Sequence, residues 1–240
     1  MRLNKFISET GVCSRREADT WIEAGRVSVN GQRAELGTRV GEGDAVEVDG
    51  KPIGAKRKPV YIALNKPVGI TCTTERHIAG NIVDFIGHRE RIFPIGRLDK
   101  ESEGLILLTN QGDIVNEILR VENEHEKEYV VTVDRPFDDA FLAGMAGGVR
   151  LPELEATTKR CRVERIAPKV FRIVLTQGLN RQIRRMCDAF GYDVRRLQRV
   201  RIINLRLGEL KVGKWRDLSE AELAGLLPKR FGAPDPAARG

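Results

Sequence analysis

Residues 54–59 read GAKRKP, and neither a helix nor a strand runs through such a stretch. A glycine and a proline bracket three consecutive cations, so turn chemistry and like-charge repulsion both work against regular structure. This break separates two parts of a 240-residue chain whose patterning differs. On the N-terminal side the elements are short. Leu3, Phe6 and Ile7 share one face of a short helix, and Ser14 and Glu17 form an S-x-x-E capping signal. Ala18, Trp21 and Ile22 then make a second apolar face, which Gly25 stops. Two alternating runs follow, RVSVNGQRA and DAVEVDGKPI, with turns at Asn30-Gly31 and Asp49-Gly50. The expected organisation is a small helix-helix-hairpin module over 1–55, a flexible linker over 56–60, a larger domain over 61–230, and a disordered Gly-, Pro- and Ala-rich tail over 231–240.

Beyond the break the spacing predicts strands at Tyr61–Leu64, Leu105–Thr109, Tyr129–Val133, Ala156–Val163 and Val170–Thr176, then a long run from Val194 to Leu207. Helices are predicted over Asp113–Arg120, Asp138–Met145, Gln182–Phe190 and Ser219–Leu227. Strands outnumber helices without strict alternation, which points to an α+β fold with a central, mainly antiparallel mixed sheet flanked by helices.

Composition narrows the function. The net charge is +7, and between Asn180 and Arg206 eight arginines face two aspartates, so +6 of it lies in one segment. A cluster that dense repels itself unless anions are present, and phosphates would supply them, which makes Arg181, Arg184 and Arg185 candidates for a polyanion. Cys13, Cys72, Cys161 and Cys187 are scattered, and with three histidines no metal-ligand spacing emerges. The N-terminus lacks a signal-peptide core and no run is long enough to span a membrane. The expectation is a cytoplasmic protein with no metal.

Individual motifs admit a plainer reading and a functional one. FPIGRLDKESEGLILL sets Asp99 between apolar runs that would draw it inward, where a carboxylate is seldom left without a partner. Arg97 and Asp99 point to one side of an extended segment and Leu98 to the other, yet a lone Arg-x-Asp is more often a structural ion pair. Lys66-Pro67 is a rigid turn at a strand end, and Tyr129 opens a strand where a tyrosine is usually a core aromatic. Arg2, Lys5, Arg15 and Arg16 cluster near two helix starts, as a solvated face or as a phosphate site.

Together these segments carry a resemblance. RLNKFISETGVCSRREADTWIEAGRVSVNG resembles the RNA-binding module of a small-subunit ribosomal protein and of bacterial tyrosyl-tRNA synthetases. LNKPVG, GRLDKESEGLILLTNQGD, HEKEYVVTVDRP, QGLNRQIRRMCDAFGY and GKWRDL, in that order, resemble the pseudouridine synthases of the ribosomal-RNA group, large-subunit members above all. That resemblance implies isomerisation of a uridine in 23S rRNA by base flipping. Asp99 would be the catalytic carboxylate, Arg184 its partner cation, Tyr129 the residue that stacks on the uracil, and Arg97 the side chain that fills the vacated stack. Ile183 would pack on the base edge, Lys66 would hold the neighbouring loop, and Arg181, Arg185, Arg2, Lys5, Arg15 and Arg16 would meet phosphates. It implies no cofactor, no protein partner and a monomer. The alternatives are the same chemistry on a tyrosine tRNA anticodon or on small-subunit rRNA, or an RNA-binding assembly factor without chemistry.

Overall fold

The computed structural model describes residues 1–54, 57–120 and 123–232. The chain forms two compact units, one of Met1–Val60 with His88–Ile92 and Asn110–Gly112, the other of the remaining residues from Tyr61 onward.

The first unit runs α1 (Leu3–Glu9), α2 (Arg15–Glu23), β1 (Val27–Val29), β2 (Gln32–Arg33), β3 (Val46–Val48) and β4 (Lys51–Pro52). Its strands form an antiparallel sheet in the order β2-β1-β3-β4. The S-x-x-E signal closes as a reciprocal cap: Ser14 Oγ accepts the Glu17 N–H at 3.2 Å while the Ser14 N–H donates to Glu17 Oε2 at 2.6 Å. A cap of this kind contributes about 1 kcal/mol. Asn30 and Gly31 have φ of 51° and 77°, and Asp49 and Gly50 have 51° and 73°, the paired left-handed conformations a two-residue hairpin turn requires. Leu3, Ile7, Ala18, Ile22, Val27 and Val46 form the core, with Phe6 and Trp21 packed at its edge.

The segment expected as a linker is hydrogen-bonded where it is described. Arg57 Nε donates to Thr10 O at 2.9 Å and its Nη1 pairs with Glu90 at 2.8 Å. Asn110 bonds both Lys58 O and the Val60 N–H.

The second unit begins with β5 (Tyr61–Lys66), α3 (Ile82–Ile86), β6 (Phe93–Ile95), β7 (Glu103–Thr109), α4 (Asp113–Leu119) and β8 (Lys127–Val133). It continues with α5 (Asp139–Gly147), β9 (Arg150–Leu151), β10 (Ala156–Thr157), β11 (Arg162–Ala167), β12 (Val170–Leu175), α6 (Gln182–Ala189) and β13 (Val194–Ile202). It ends with β14 (Leu205–Arg206), β15 (Trp215–Asp217), α7 (Glu220–Leu226) and α8 (Pro228–Phe231). Nine strands make one sheet, ordered β11-β12-β8-β13-β7-β5-β15, with β14 on β13 and β6 on β7. The β7–β13 pair is parallel and the other described pairs of this sheet are antiparallel. The fold is therefore α+β, a mostly antiparallel mixed sheet flanked by helices. No described helix is long and apolar enough to cross a membrane.

Two predicted strands are each divided. Within Ala156–Val163, Thr158 turns inward: its N–H donates to Val149 O and its Oγ1 accepts the Val149 N–H, both at 2.9 Å. β10 thus pairs with β9 while β11 joins the main sheet. Within Val194–Leu207, Ile203 adopts φ 54°, and β13 folds back on β14. Of the expected tail, residues 233–240 lie outside the described residues, whereas Phe231 closes α8 with its ring edge-on to Tyr61 at 5.7 Å.

Candidate active site

The loop that carries Asp99 joins β6 to β7 and is fixed from below. Gly96 starts it at φ 75°, a conformation that favours glycine. Leu98, 7% exposed, takes the inward position, and its N–H points to Cys72 Sγ at 3.4 Å. Asp99 itself is not buried, because its side chain is 31% exposed. The apolar flanks draw in the chain on either side of the carboxylate rather than the carboxylate. The Ser102 N–H donates to Asp99 O at 3.0 Å and closes the turn.

Lys66, at the end of β5, is wholly buried. Its Nζ donates to Pro67 O at 2.9 Å and Ile70 O at 2.8 Å, and the Gly69 N–H donates in turn to Lys100 O at 2.7 Å. One ammonium thus fixes the 67–70 turn, and that turn holds the residue next to Asp99. Burial pushes the Lys66 pKa down, opposed by Cys72 and by Asp99, Glu101 and Glu103.

The cation that meets Asp99 differs from the one expected. Arg184 does not ion-pair with it: its Nη2 donates to Glu101 O at 3.1 Å and Ser102 Oγ at 3.3 Å, and its Nη1 to Val194 O at 3.3 Å. Arg181 instead places Nη1 3.9 Å from Asp99 Oδ2 and 2.9 Å from Glu101 Oε2. The start of α6 explains the exchange. Arg181 sits at its N-cap with φ 50°, and Arg184, almost one turn further on, reaches the backbone behind the carboxylate. Burial, then Arg181, lower the Arg184 pKa, with Glu101 and Asp99 acting in the opposite direction.

Tyr129, half-buried on β8, lies opposite Ile173 of β12 on one side and Arg199 of β13 on the other. A cavity of about 420 Å³ opens over this strip of sheet and brings together Arg97, Asp99, Tyr129, Arg181, Ile183 and Arg184. That volume lies within the range typical of small-ligand sites. Arg97 is exposed at the mouth and Ile183 is 5% exposed in the wall. Arg185 points elsewhere, to Glu153 at 2.7 Å and Asn180 O at 3.1 Å. Lys66, wholly buried, does not line the cavity. In the first unit Arg2, Arg15 and Arg16 are exposed, while Lys5 is half-buried beside Glu9 at 3.6 Å.

The arginine segment is less bare than its sequence implies. Arg181, Arg185, Arg195, Arg196 and Arg201 pair with Glu101, Glu153, Asp193, Glu103 and Glu126 respectively. Much of its counter-charge comes from distant parts of the chain. Two basic residues of the cavity, Lys127 and Arg199, carry no role in the sequence reading. Bulges between Val194 and Arg196 and between Arg199 and Arg201 shift the alternation of β13, so counting by twos along the arginines does not reveal which of them faces inward.

An α+β sheet with one acidic loop, a strand tyrosine and arginines converging on a central cavity defines a class, and the comparisons agree with it. Residues 60–189 match the RNA pseudouridylate synthase family and residues 1–46 match the S4 domain. The chain belongs to the RNA pseudouridine synthase family and is an isomerase acting on RNA. It is similar to the dual-specificity RNA pseudouridine synthase RluF of Escherichia coli (strain K12), 58% identical over 228 residues, spanning 94% of this chain and 78% of that one. It is 35% identical to ribosomal large subunit pseudouridine synthase B of Bacillus subtilis (strain 168), over 94% of this chain and 95% of that one. A solved pseudouridylate synthase structure superposes with a TM-score of 0.69 at 28% identity, covering 95% of this chain and all of the other.

Proposed function

We propose that this enzyme converts a uridine of 23S rRNA to pseudouridine, with Asp99 as the essential carboxylate. The observation that carries the reading is the shared cavity of Asp99, Tyr129, Arg97 and Ile183. The large-subunit target rests on the similarity to RluF and to the Bacillus subtilis large-subunit enzyme. In the reaction the bond from ribose C1′ to uracil N1 breaks, the ring turns, and C5 joins C1′ while its hydrogen leaves as a proton and N1 gains one. Atoms are conserved and no oxidation state changes overall, so the chemistry calls for no group donor.

A uridine stacked in a helix cannot reach a carboxylate inside a cavity, so the nucleotide flips out, at a cost of a few kcal/mol. Arg97, exposed at the mouth, fills the vacated stack. The uracil rests on Tyr129, whose hydroxyl takes the C5 proton, and Ile183 packs on the ring edge. Asp99 acts on the ribose, with Arg181 and Arg184 on its two sides and Lys66 holding the loop. Arg185 and the basic residues of the S4 unit, Arg2, Lys5, Arg15 and Arg16, bind phosphates. The enzyme acts as a monomer in the cytoplasm, the RNA supplying the large interface.

The test is to incubate the purified protein with unmodified 23S rRNA, small-subunit rRNA and tyrosine tRNA, and to map new pseudouridines by carbodiimide labelling and reverse-transcription stops. The expected result is a new stop in 23S rRNA that Asp99→Asn abolishes while RNA binding persists. A stop only in another RNA would overturn the target, and product from Asp99→Asn at the wild-type rate would remove Asp99 from its role.

A further inference from the structure

Arg199 is a cation of the cavity that the reading above leaves unused. It lies within β13, 4% exposed, and lines the cavity. Its Nε donates to Leu105 O at 2.7 Å and its Nη1 reaches Arg97 O at 3.5 Å, while Nη2 is buried with no hydrogen-bond partner. It makes no ion pair among the described residues. Arg201, two residues along the same strand, is the contrast, bonded to Glu128 at 2.8 Å and to Glu126 at 2.9 Å. Arg201, partly buried, has its counter-charges built in, and the buried Arg199 has none among the described residues. A buried guanidinium without an anion is unfavourable unless something supplies the charge.

The backbone holds this arginine firmly. Gly104 of β7 pairs with Arg199 in the parallel ladder, and a Cβ on Gly104 would stand 2.3 Å from Arg199 O. Across the antiparallel ladder Arg199 faces Tyr129. Opposed residues of such a pair project to the same face with Cβ atoms about 4.5–5.5 Å apart. A ring seated on Tyr129 therefore lies beside the guanidinium.

We propose that Arg199 is a catalytic residue that holds the negative charge of the uracil while it is detached from the ribose. The inference rests on the function proposed above. When C1′–N1 breaks, the electron pair leaves with the ring and spreads over N1, O2 and O4, and the electron-deficient C1′ is met by the Asp99 carboxylate. When C5 attacks C1′ the ring gives the pair back, C5 loses its proton and N1 is protonated. Arg199 and Asp99 thus oppose the two charges that the broken bond separates. The unpartnered Nη2 is the donor a ring carbonyl would take, and the missing anion of the resting site arrives as the transient one.

The experiment compares wild type, Arg199→Lys and Arg199→Gln in single turnover at saturating RNA, alongside RNA affinity and thermal unfolding. Each is assayed on RNA carrying uridine, read as pseudouridine formed, and on RNA carrying 5-fluorouridine at the target, read as 5-fluorouridine consumed. Fluorine stabilises a ring anion by itself and leaves no C5 proton to be lost after the new bond forms. Arg199→Gln should lose about 10²-fold in rate on uridine with affinity nearly unchanged. Arg199→Lys should recover part of the loss, and both defects should shrink on 5-fluorouridine. Equal losses on the two substrates, or an unchanged rate on uridine, would overturn the inference and leave Arg199 as a brace for the Arg97 backbone. Should Arg199→Gln fail to fold, Arg199→Lys still decides the matter through the same substrate comparison. Absence of product from wild type would instead defeat the underlying function, a separate outcome.

Discussion

Arg181 Nη1 lies 2.9 Å from Glu101 Oε2 and 3.9 Å from Asp99 Oδ2, so one guanidinium serves two carboxylates of the same loop and holds the nearer one more tightly. Arg184 approaches that loop from behind, through Glu101 O and Ser102 Oγ. The two arginines therefore differ in kind. In the proposed reaction Arg181 would supply charge and Arg184 would set position.

This difference is measurable. Arg184→Ala is expected to slow single turnover at saturating RNA by about 10²-fold, since small displacements of a reacting group have effects of that order. RNA affinity should change little. Arg181→Ala should weaken affinity as well as rate, because Arg181 is more exposed than Arg184 and accessible to a phosphate. Indistinguishable kinetics for the two variants would contradict the division.

Lys66→Met keeps most of the side chain's volume and removes its donors from two carbonyls. Unsatisfied buried acceptors cost about 1–3 kcal/mol each, so the variant should lose about 2 kcal/mol in urea unfolding. Turnover should fall with it, through the link from Gly69 to Lys100. A variant as stable and as fast as wild type would show that the loop does not depend on the ammonium.

Glu222 carries a pH prediction. Its carboxylate accepts Arg216 Nη2 at 2.6 Å and the Ser219 N–H at 2.9 Å, and the Arg216 hydrogen bond leads in pulling its pKa from 4.5 to about 2. A depressed carboxylate stabilises the folded state above its unfolded pKa, and that contribution is lost as the pH falls through the folded value. Glu222→Gln should therefore cost about 1–2 kcal/mol at neutral pH, allowing for the partly exposed Arg216. The difference from wild type should close between about pH 4.5 and pH 2. A gap of constant size down to the acid limit would show that the pair is not its source.

The S4 unit predicts a salt effect. If Arg2, Arg15 and Arg16 each neutralise a phosphate, changing all three to Gln should lower the slope of log affinity against log salt by about 2. The rate at saturating RNA should stay near wild type. An unchanged slope would mean that these side chains do not touch the RNA.

Much of this molecule was legible from local chemistry. The capping pair of Ser14 and Glu17, the Asn30-Gly31 and Asp49-Gly50 turns and the apolar face of α1 and α2 depend on neighbours within a few residues, and the structure has them as expected. The α+β sheet followed from strand count and spacing. Boundaries failed where a distant partner intervened. Thr158 leaves its strand because Val149 accepts and donates there, and Ile203 breaks the long Arg-rich run at a position without a strong turn signal.

The inventory of the candidate site can be read along the chain: an aspartate in an acidic loop, a strand tyrosine, a Lys-Pro turn and a dense run of arginines. Which anion each arginine meets depends on the folded chain. Charges interact through space, and the anions that neutralise Arg181, Arg185, Arg196 and Arg201 come from segments roughly 30 to 90 residues away along the chain. Two bulges set the phase of β13, and so it is Arg199, opposite Tyr129 and without a carboxylate partner among the described residues, that faces the cavity.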